Sequence, residues 1–408
     1  MPALTPLLTR HLRYPRLNQD TGTVLVIETA YLVQSECGRG FQENGWKVVS
    51  LPLTPPETFI ERLLSAVLTH RPDVLFTINH LGFDRNGVLI GLLEEMQMPV
   101  LSWFVDNPAY ILLDFKQNRT DWAVVAVWEK TLIPFLNNFG FAHILHLPLG
   151  GDPTVFKPVS GNPPTRYRCS FVGDSLAYGS AKWAELVPSF EGKDRVIAEA
   201  GEDMIHNRGC NPLLIAQRCA QQAAIAIPDF NAEESLTLAS AVTLEGVRRH
   251  RKILANSMVG LQGHIFGDEG WRSNLSGDLQ LHPPVDYHLE LSDIYCLTDI
   301  NLNLTSLQMP TSVNQRVFDA PLAGGFLLTD RQSDLGELFD LETEASVFDE
   351  VGEIPDLIRF WQPRQNNRRN IVRRARERIL KQHTYRHRIA EMIEFTRGIF
   401  GRYKKGAK

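Results

Sequence analysis

The chain has 408 residues, 43% hydrophobic and 22% charged, with a formal net charge of −5. That length exceeds the ~100–200 residues of one usual core, so two domains are expected. The small negative charge offers no general attraction for a polyanion, which speaks against nucleic acid as a partner. Five scattered cysteines (Cys37, Cys169, Cys210, Cys219, Cys296) form no C-x-x-C pair. They read as reduced thiols of a cytoplasmic protein, with neither a disulfide framework nor a zinc site. The first twenty residues hold arginines and prolines but no continuous apolar run, unlike a signal peptide. No stretch approaches the ~20 apolar residues that span a bilayer.

In chain order, residues 1–20 read as an extension and 21–150 as a first domain. TVLVIE (23–28) is strand-like, and Tyr31–Asn44 is a predicted helix closed by Gly45. WKVVSLPL (46–53) is a strand, and Pro55-Pro56 open a helix through His70. DVLFTIN (73–79), the helix Arg85–Met96, PVLSWFV (99–105), WAVVAVW (122–128) and AHILHLP (142–148) continue the series. Apolar runs separated by helices predict parallel strands covered on both faces, a doubly wound α/β domain. The Pro- and Gly-rich residues 151–165 are the expected linker.

A second α/β domain, 166–380, opens with YRCSFVG (167–173). Residues 176–258 lack a strand pattern and predict a helical insertion, after which VGLQGHIFG (259–267) and LQLH (279–282) resume the strands. A helix over Tyr287–Leu297 precedes the most informative unit: strand Ile300–Thr305, a loop with Met309-Pro310, helix Ser312–Ala323, Gly324-Gly325, and strand Phe326–Thr329. It rings the end of a buried strand with Ser312, Asn314, Arg316 and Asp319, where open α/β sheets bind ligands. Residues 381–408 complete a charged helical tail.

Dinucleotide G-x-G-x-x-G, P-loop and G-x-S-x-G signatures are absent. Asp106 ends a strand and faces the same kind of edge; as part of Asp-Asn-Pro it equally suits a helix cap. Asp84 faces that edge too and also reads as a cap. Gly173 ends the first strand of the second domain, where a small residue admits a ligand. His264 ends the next strand, where a base or ribose could sit. His383 and His387, four apart, read as packing residues rather than metal ligands. The arginines from Arg368 onward go round their helix and read as a solvated face.

TINHLGFDRNG (77–87), SWFVDNP (102–108), LPLGGDPTVFKP (147–158), SFVGDS (170–175), DIYCLTDINLNLTS (293–306), QRVFDAPLAGGFLLTD (315–330) and HTYRHR (383–388) together resemble the bacterial DUF3880/CgeB-like glycosyltransferases. The resemblance implies a GT-B fold: two Rossmann-like domains facing across a cleft, with the last helix returning to the first domain. It implies transfer of a sugar from a nucleoside-diphosphate sugar, with no other cofactor, to a glycan, protein or small-molecule acceptor. No D-x-D is present, which favours a metal-independent reaction. Retaining GT-B families place two acids eight apart; here Asp319 takes the second place and Thr311 holds the first. Their basic pair after the first C-domain strand is missing, Asp174 following Gly173 and Lys182 being the nearest base. Diphosphate charge then falls to Arg316 and the helix start near Ser312. The implied donor site is Gly173, His264, Ser312, Asn314, Arg316 and Asp319. Asp106 is the implied catalytic base, with Asp84 and Asn107 beside it on the acceptor side. An epimerase or a non-catalytic binding protein of the same fold are the other readings.

Overall fold

The computed structural model describes residues 4–401 except 30, 32, 113, 114 and 162. The outer ends of the expected N-terminal extension and C-terminal tail lie outside those residues. The chain forms two compact units, one of residues up to Gly150 together with those from His383, the other Gly151–Gln382.

In the first unit, α1 (Pro6–Leu12) precedes β1 (Thr23–Glu28), α2 (Gln34–Glu43), β2 (Lys47–Pro52), α3 (Phe59–His70) and β3 (Val74–Ile78). Then come α4 (Val88–Glu95), β4 (Val100–Phe104), α5 (Pro108–Leu112), β5 (Ala123–Val127), α6 (Ile133–Phe139) and β6 (His143–His146). The six strands are parallel in the order β2-β1-β3-β4-β5-β6. Every residue of β3, β4 and β5 is buried, as expected for strands covered on both faces. The order reverses between β1 and β3, which places the ligand crevice of such a sheet beside their C-terminal ends.

The second unit opens with β7 (Tyr167–Val172) and four helices: α7 (Ala177–Leu186), α8 (Lys193–His206), α9 (Pro212–Gln222) and α10 (Ala232–Asn256). These helices share a core of their own, with Val196, Ala200, Ile215, Leu238 and Val242 inside. Asn231 and Glu234 form a reciprocal capping box that starts α10. The last turn of α10 leaves that layer and packs Leu254 and Ala255 into the sheet core with Phe171, Ile265 and Leu302. β8 (Gly263–Phe266), β9 (Gln280–His282), α11 (Leu291–Cys296), β10 (Thr298–Asn303), α12 (Arg316–Leu322), β11 (Leu327–Asp330), α13 (Leu335–Leu338) and β12 (Ser346–Phe348) follow. The order is β12-β11-β10-β7-β8-β9, again all parallel, and it reverses between β7 and β10. α14 (Ile354–Trp361) and α15 (Gln365–Gln382) close this unit. The last helix, α16 (Tyr385–Phe400), belongs to the first unit, where Phe400 stacks on Trp122 and Asn44 bonds the Arg386 carbonyl.

Several expectations change in detail, and the helices expected from Arg85 and Tyr287 begin at Val88 and Leu291. The helix expected from Ser312 begins only at Arg316, because residues 304–315 are held as a loop on the sheet edge. The helix expected from Tyr31 begins at Gln34. The start of the expected linker is a packed part of the second unit: Asp152 caps its own turn at Thr154, Phe156 is fully buried against Tyr287 and Tyr295, and Lys157 and Ser292 exchange hydrogen bonds. Pro and Gly signal irregular backbone there, and irregular backbone can be buried when its groups are paired. No helix among the described residues is long and apolar enough to cross a membrane.

Phe156→Ala therefore removes a core side chain and should cost about 3–5 kcal/mol, read as a lowered denaturant midpoint. An unchanged midpoint would mark the segment as a loose connector.

Candidate functional site

Beside the reversal point of the second sheet, the turns that end β7 and β8 are tied together. The Asp268 carboxylate accepts from the Ser175 N–H (2.8 Å) and hydroxyl (3.0 Å), tying the two turns together. The Trp271 indole N–H donates to the Gly173 carbonyl at 2.8 Å. This approach requires glycine at 267: a Cβ there would meet the Gly173 oxygen at 2.4 Å and Trp271 Nε1 at 2.6 Å.

Arg316, the first residue of α12, reaches over this turn. Its guanidinium carbon lies 5.5 Å from the Phe171 ring centre, a cation–π contact, and Nη2 would be 3.1 Å from a Cβ at Gly173. A second guanidinium comes from Arg251 on α10, whose Nη1 donates to the Asp174 carbonyl. Burial first, and then the positive charge of Arg316, lower Arg251 to about 10, against the opposing pull of the Asp174 and Asp268 carboxylates. Two guanidiniums at one glycine turn oppose each other, Asp174 and Asp268 offset part of that repulsion on Arg251, and a bound anion would relieve it further. Arg251 stands 77 residues from Asp174 on a helix of the insertion and has no local sequence signal. It takes the place for which Lys182, exposed on α7, was the nearest candidate by sequence.

The remaining donor-side candidates separate. Asn314 is buried and donates to Asn303 Oδ1 at 2.9 Å; Asn303 donates to Thr329, and Asp330 accepts from Thr305 and pairs with Arg208 at 2.9 Å. This chain pins the loop after β10 to the sheet. Ser312 is buried within that loop, not at a helix start. At seven residues α12 is a short helix, so the diphosphate contact expected of a helix start at Ser312 falls away. Asp319 is 1% exposed and accepts from the Tyr287 hydroxyl at 3.1 Å. A carboxylate that binds a ribose diol has to be reachable, so the structure gives Asp319 a place under the site rather than in it. His264 is the second residue of β8, not its end; its ring pairs with His282 (2.9 Å) and packs on Tyr167, away from the glycine turn.

In the first unit, Asp106 follows β4 and is half-buried. Its Oδ2 accepts from Asn79 Nδ2 at 2.7 Å and from the Tyr31 hydroxyl. Asn79 follows β3 with φ 52 and accepts at Oδ1 from the Val105 and Asp106 N–H groups, so one side chain fixes both the backbone and the carboxylate of the turn. Burial, then the bond to Asp106, raise the Tyr31 pKa and keep its hydroxyl a donor. The capping alternative for Asp106 is taken by its neighbour: Asn107 Oδ1 accepts from Ala109 N–H at the start of α5. Asp84 is likewise a cap, accepting from the Asn86, Val88 and Leu89 N–H groups. Asn107 and Asp84 are thus engaged by backbone, and Asp106 with Asn79 and Tyr31 remains at the edge. Asn79 was legible by the argument that found Asp106, the C-terminal end of a parallel strand; Tyr31 was not.

His80, beside Asn79, is fully buried, stacked on Phe83 at 4.3 Å, with Nδ1 on Ser102 Oγ at 3.0 Å. Desolvation lowers its pKa to about 3. The unfolded chain, with an ordinary histidine near 6.5, binds this proton first, so stability is full above pH 6.5 and falls as pH drops from 6.5 toward 3. His250, lowered to about 4 by burial, adds to the same slope. His80→Phe should keep the stack and lose part of the slope between pH 7 and 4, by about 2–3 kcal/mol, in denaturant titrations at each pH. A slope equal to that of the parent would place the proton elsewhere.

Residues 248–394 match the family model described as glycosyl transferase-like. No curated protein matches the chain. Among solved structures, sucrose-phosphate synthase from Thermosynechococcus elongatus aligns over 93% of this chain and 99% of its own, at 11% identity and a TM-score of 0.54. A glycosyltransferase from Rickettsia africae aligns over 95% and 100%, at 11% identity and a TM-score of 0.52. The Anabaena protein HepE, in complex with UDP-glucose, aligns over 91% and 98%, at 9% identity and a TM-score of 0.50. The chain has the GT-B fold of these proteins, and the domain at 248–394 with that fold defines its class, an enzyme of glycosyl transfer.

Proposed function

We propose that the protein moves a sugar from a nucleoside-diphosphate sugar to an acceptor hydroxyl. The carrying observation is the pair of guanidiniums, Arg316 and Arg251, at the Gly173–Asp174 turn where the second sheet reverses. Arg251 and Arg316 both lie inside the matched glycosyl transferase-like domain. A diphosphate carries the charge this pair lacks. As the sugar–oxygen bond breaks, negative charge grows on the leaving phosphate, and fixed cations already in place stabilise it without reorganising. In this reading the arginines do that work without a metal ion. HepE, of the same fold, was solved with UDP-glucose, which supports a uridine or related nucleotide donor here. Asp106, oriented by Asn79 and Tyr31, takes the acceptor proton.

The test incubates the full chain with a panel of nucleotide sugars and follows nucleotide release. Arg316→Ala should weaken nucleoside-diphosphate binding ten- to a hundredfold, since a charge-assisted contact is worth about 1.5–3 kcal/mol, and leave the plain nucleoside unaffected. Equal loss for the nucleoside would put Arg316 in the fold or at the base.

A separate comparison addresses the base. Asp106→Asn should leave donor affinity near that of the parent and cut turnover by about 10²–10⁴. A variant that melts earlier but turns over normally per folded molecule would make Asp106 purely structural.

A further inference from the structure

At the opposite, N-terminal edge of the second sheet lies a cavity of about 550 Å³. Its floor is the start of β10 (Thr298, Asp299) with Phe326 just before β11, and one wall is α15. A six-residue strand rises about 3.3 Å per residue, so this cavity stands roughly 20 Å from the glycine turn.

Four arginines of α15 line it: Arg368, Arg369, Arg373 and Arg376. The sequence reading spread these round the helix, yet 369, 373 and 376 stand at i, i+4 and i+7, one face. Arg368 is buried and consumed by the fold, bonded to Asp299 at 2.6 Å and to the Trp361 and Gln362 carbonyls. Asp299 is also the cavity's lone lining carboxylate among the described residues. Arg373 has an exposed partner, Glu377, one turn on, a pair worth little in water. Arg376 donates to the Leu322 carbonyl, and neither it nor Arg369 has an ion pair among the described residues. The rest of the lining includes Pro158, Pro163, Pro164 and Phe326, with Val372 of α15 beside the arginines. The cavity therefore combines apolar lining with two guanidiniums, Arg369 and Arg376, that have no ion pair among the described residues, and a third, Arg373, with only an exposed one.

We propose that this cavity binds a small phosphorylated molecule, its phosphoryl group on Arg369, Arg373 and Arg376 and its apolar body on the proline–phenylalanine wall. Guanidinium forks match phosphate oxygens in pairs, and a dianion meets more than one arginine at once. The ligand class is a phosphomonoester with a flat or aliphatic body, which the wall separates from free phosphate. The site is independent of the diphosphate site at Arg316.

The experiment titrates the full chain calorimetrically with phenyl phosphate and with inorganic phosphate, in the parent, in Arg316→Ala and in Arg369→Ala/Arg373→Ala. Both substituted arginines of the double variant are exposed, so its melting temperature should match the parent's. Phenyl phosphate should bind the parent and Arg316→Ala alike, more tightly than phosphate, and lose at least tenfold in the double variant. Equal affinity for the two ligands would overturn the role of the apolar wall. Binding that survives the double variant, or no saturation by about 10 mM, would overturn the site. Loss in Arg316→Ala alone would reassign the ligand to the diphosphate site.

Discussion

A parallel strand buried on both faces can meet a ligand only where it ends. That constraint organises both units. β3, β4 and β5 have no exposed residue, and β10 is buried almost throughout. Polar chemistry is therefore confined to the residues that follow each strand, and it concentrates where the order of strands reverses and the connecting helices part. In the first unit that point lies between β1 and β3, beside Tyr31, Asn79 and Asp106. In the second it lies between β7 and β10, where the Gly173 turn and Arg316 meet.

The two edges are prepared differently. Asp106 is oriented by hydrogen bonds from neutral groups, which fix a carboxylate without cancelling its charge. Arg316 and Arg251 are held by an aromatic face and a backbone carbonyl, and the carboxylates of Asp174 and Asp268 act on Arg251 from the same turns. In each case the fold supplies the geometry of the charged group. The contrast with the surrounding ion pairs is informative: Arg208–Asp330, Arg368–Asp299 and Arg378–Glu344 are closed within the unit and hold loops and helices to the sheet.

How much of this was legible follows from what each feature depends on. Continuous apolar runs dictate buried parallel strands, so both sheets and the helical insertion could be read directly. Asp106 could be singled out because it follows a strand end, and Arg316 because it lies on the helix between β10 and β11. His264 was misplaced by two residues in a four-residue strand, a distance that decides whether a side chain meets the edge or the sheet interior. Asp84, Asn107 and Asp319 were chosen for residue type and position, but whether a carboxylate or amide faces solvent depends on which backbone N–H or hydroxyl lies within 3 Å, and periodicity carries no trace of that. Arg251 reaches the turn from the far end of a 25-residue helix, and only tertiary packing brings it there.

The junction where the chain leaves the first unit and re-enters it shows the same dependence on backbone proximity. Gly150 ends the first passage and His383 begins the return. A Cβ at Gly150 would stand 3.1 Å from the His383 oxygen, the Thr384 carbon and the Tyr385 nitrogen. These are backbone atoms, which cannot swing aside as a flexible side chain can. Arg388 reinforces the contact, donating to the Leu149 carbonyl and reaching His383 Nδ1, while Thr384 and His387 cap the start of α16. The pair of histidines four apart is thereby explained: one is a partner for Arg388 and the other closes a capping box. Glycine at 150 lets the outgoing and returning segments run in contact, so α16 starts where the first sheet's last connection finishes. The helix then lies on α2, with Ile389 and Met392 fully buried. The charged, arginine-rich tail that composition alone would assign to solvent is divided at this junction, α15 staying with the second unit and α16 completing the first.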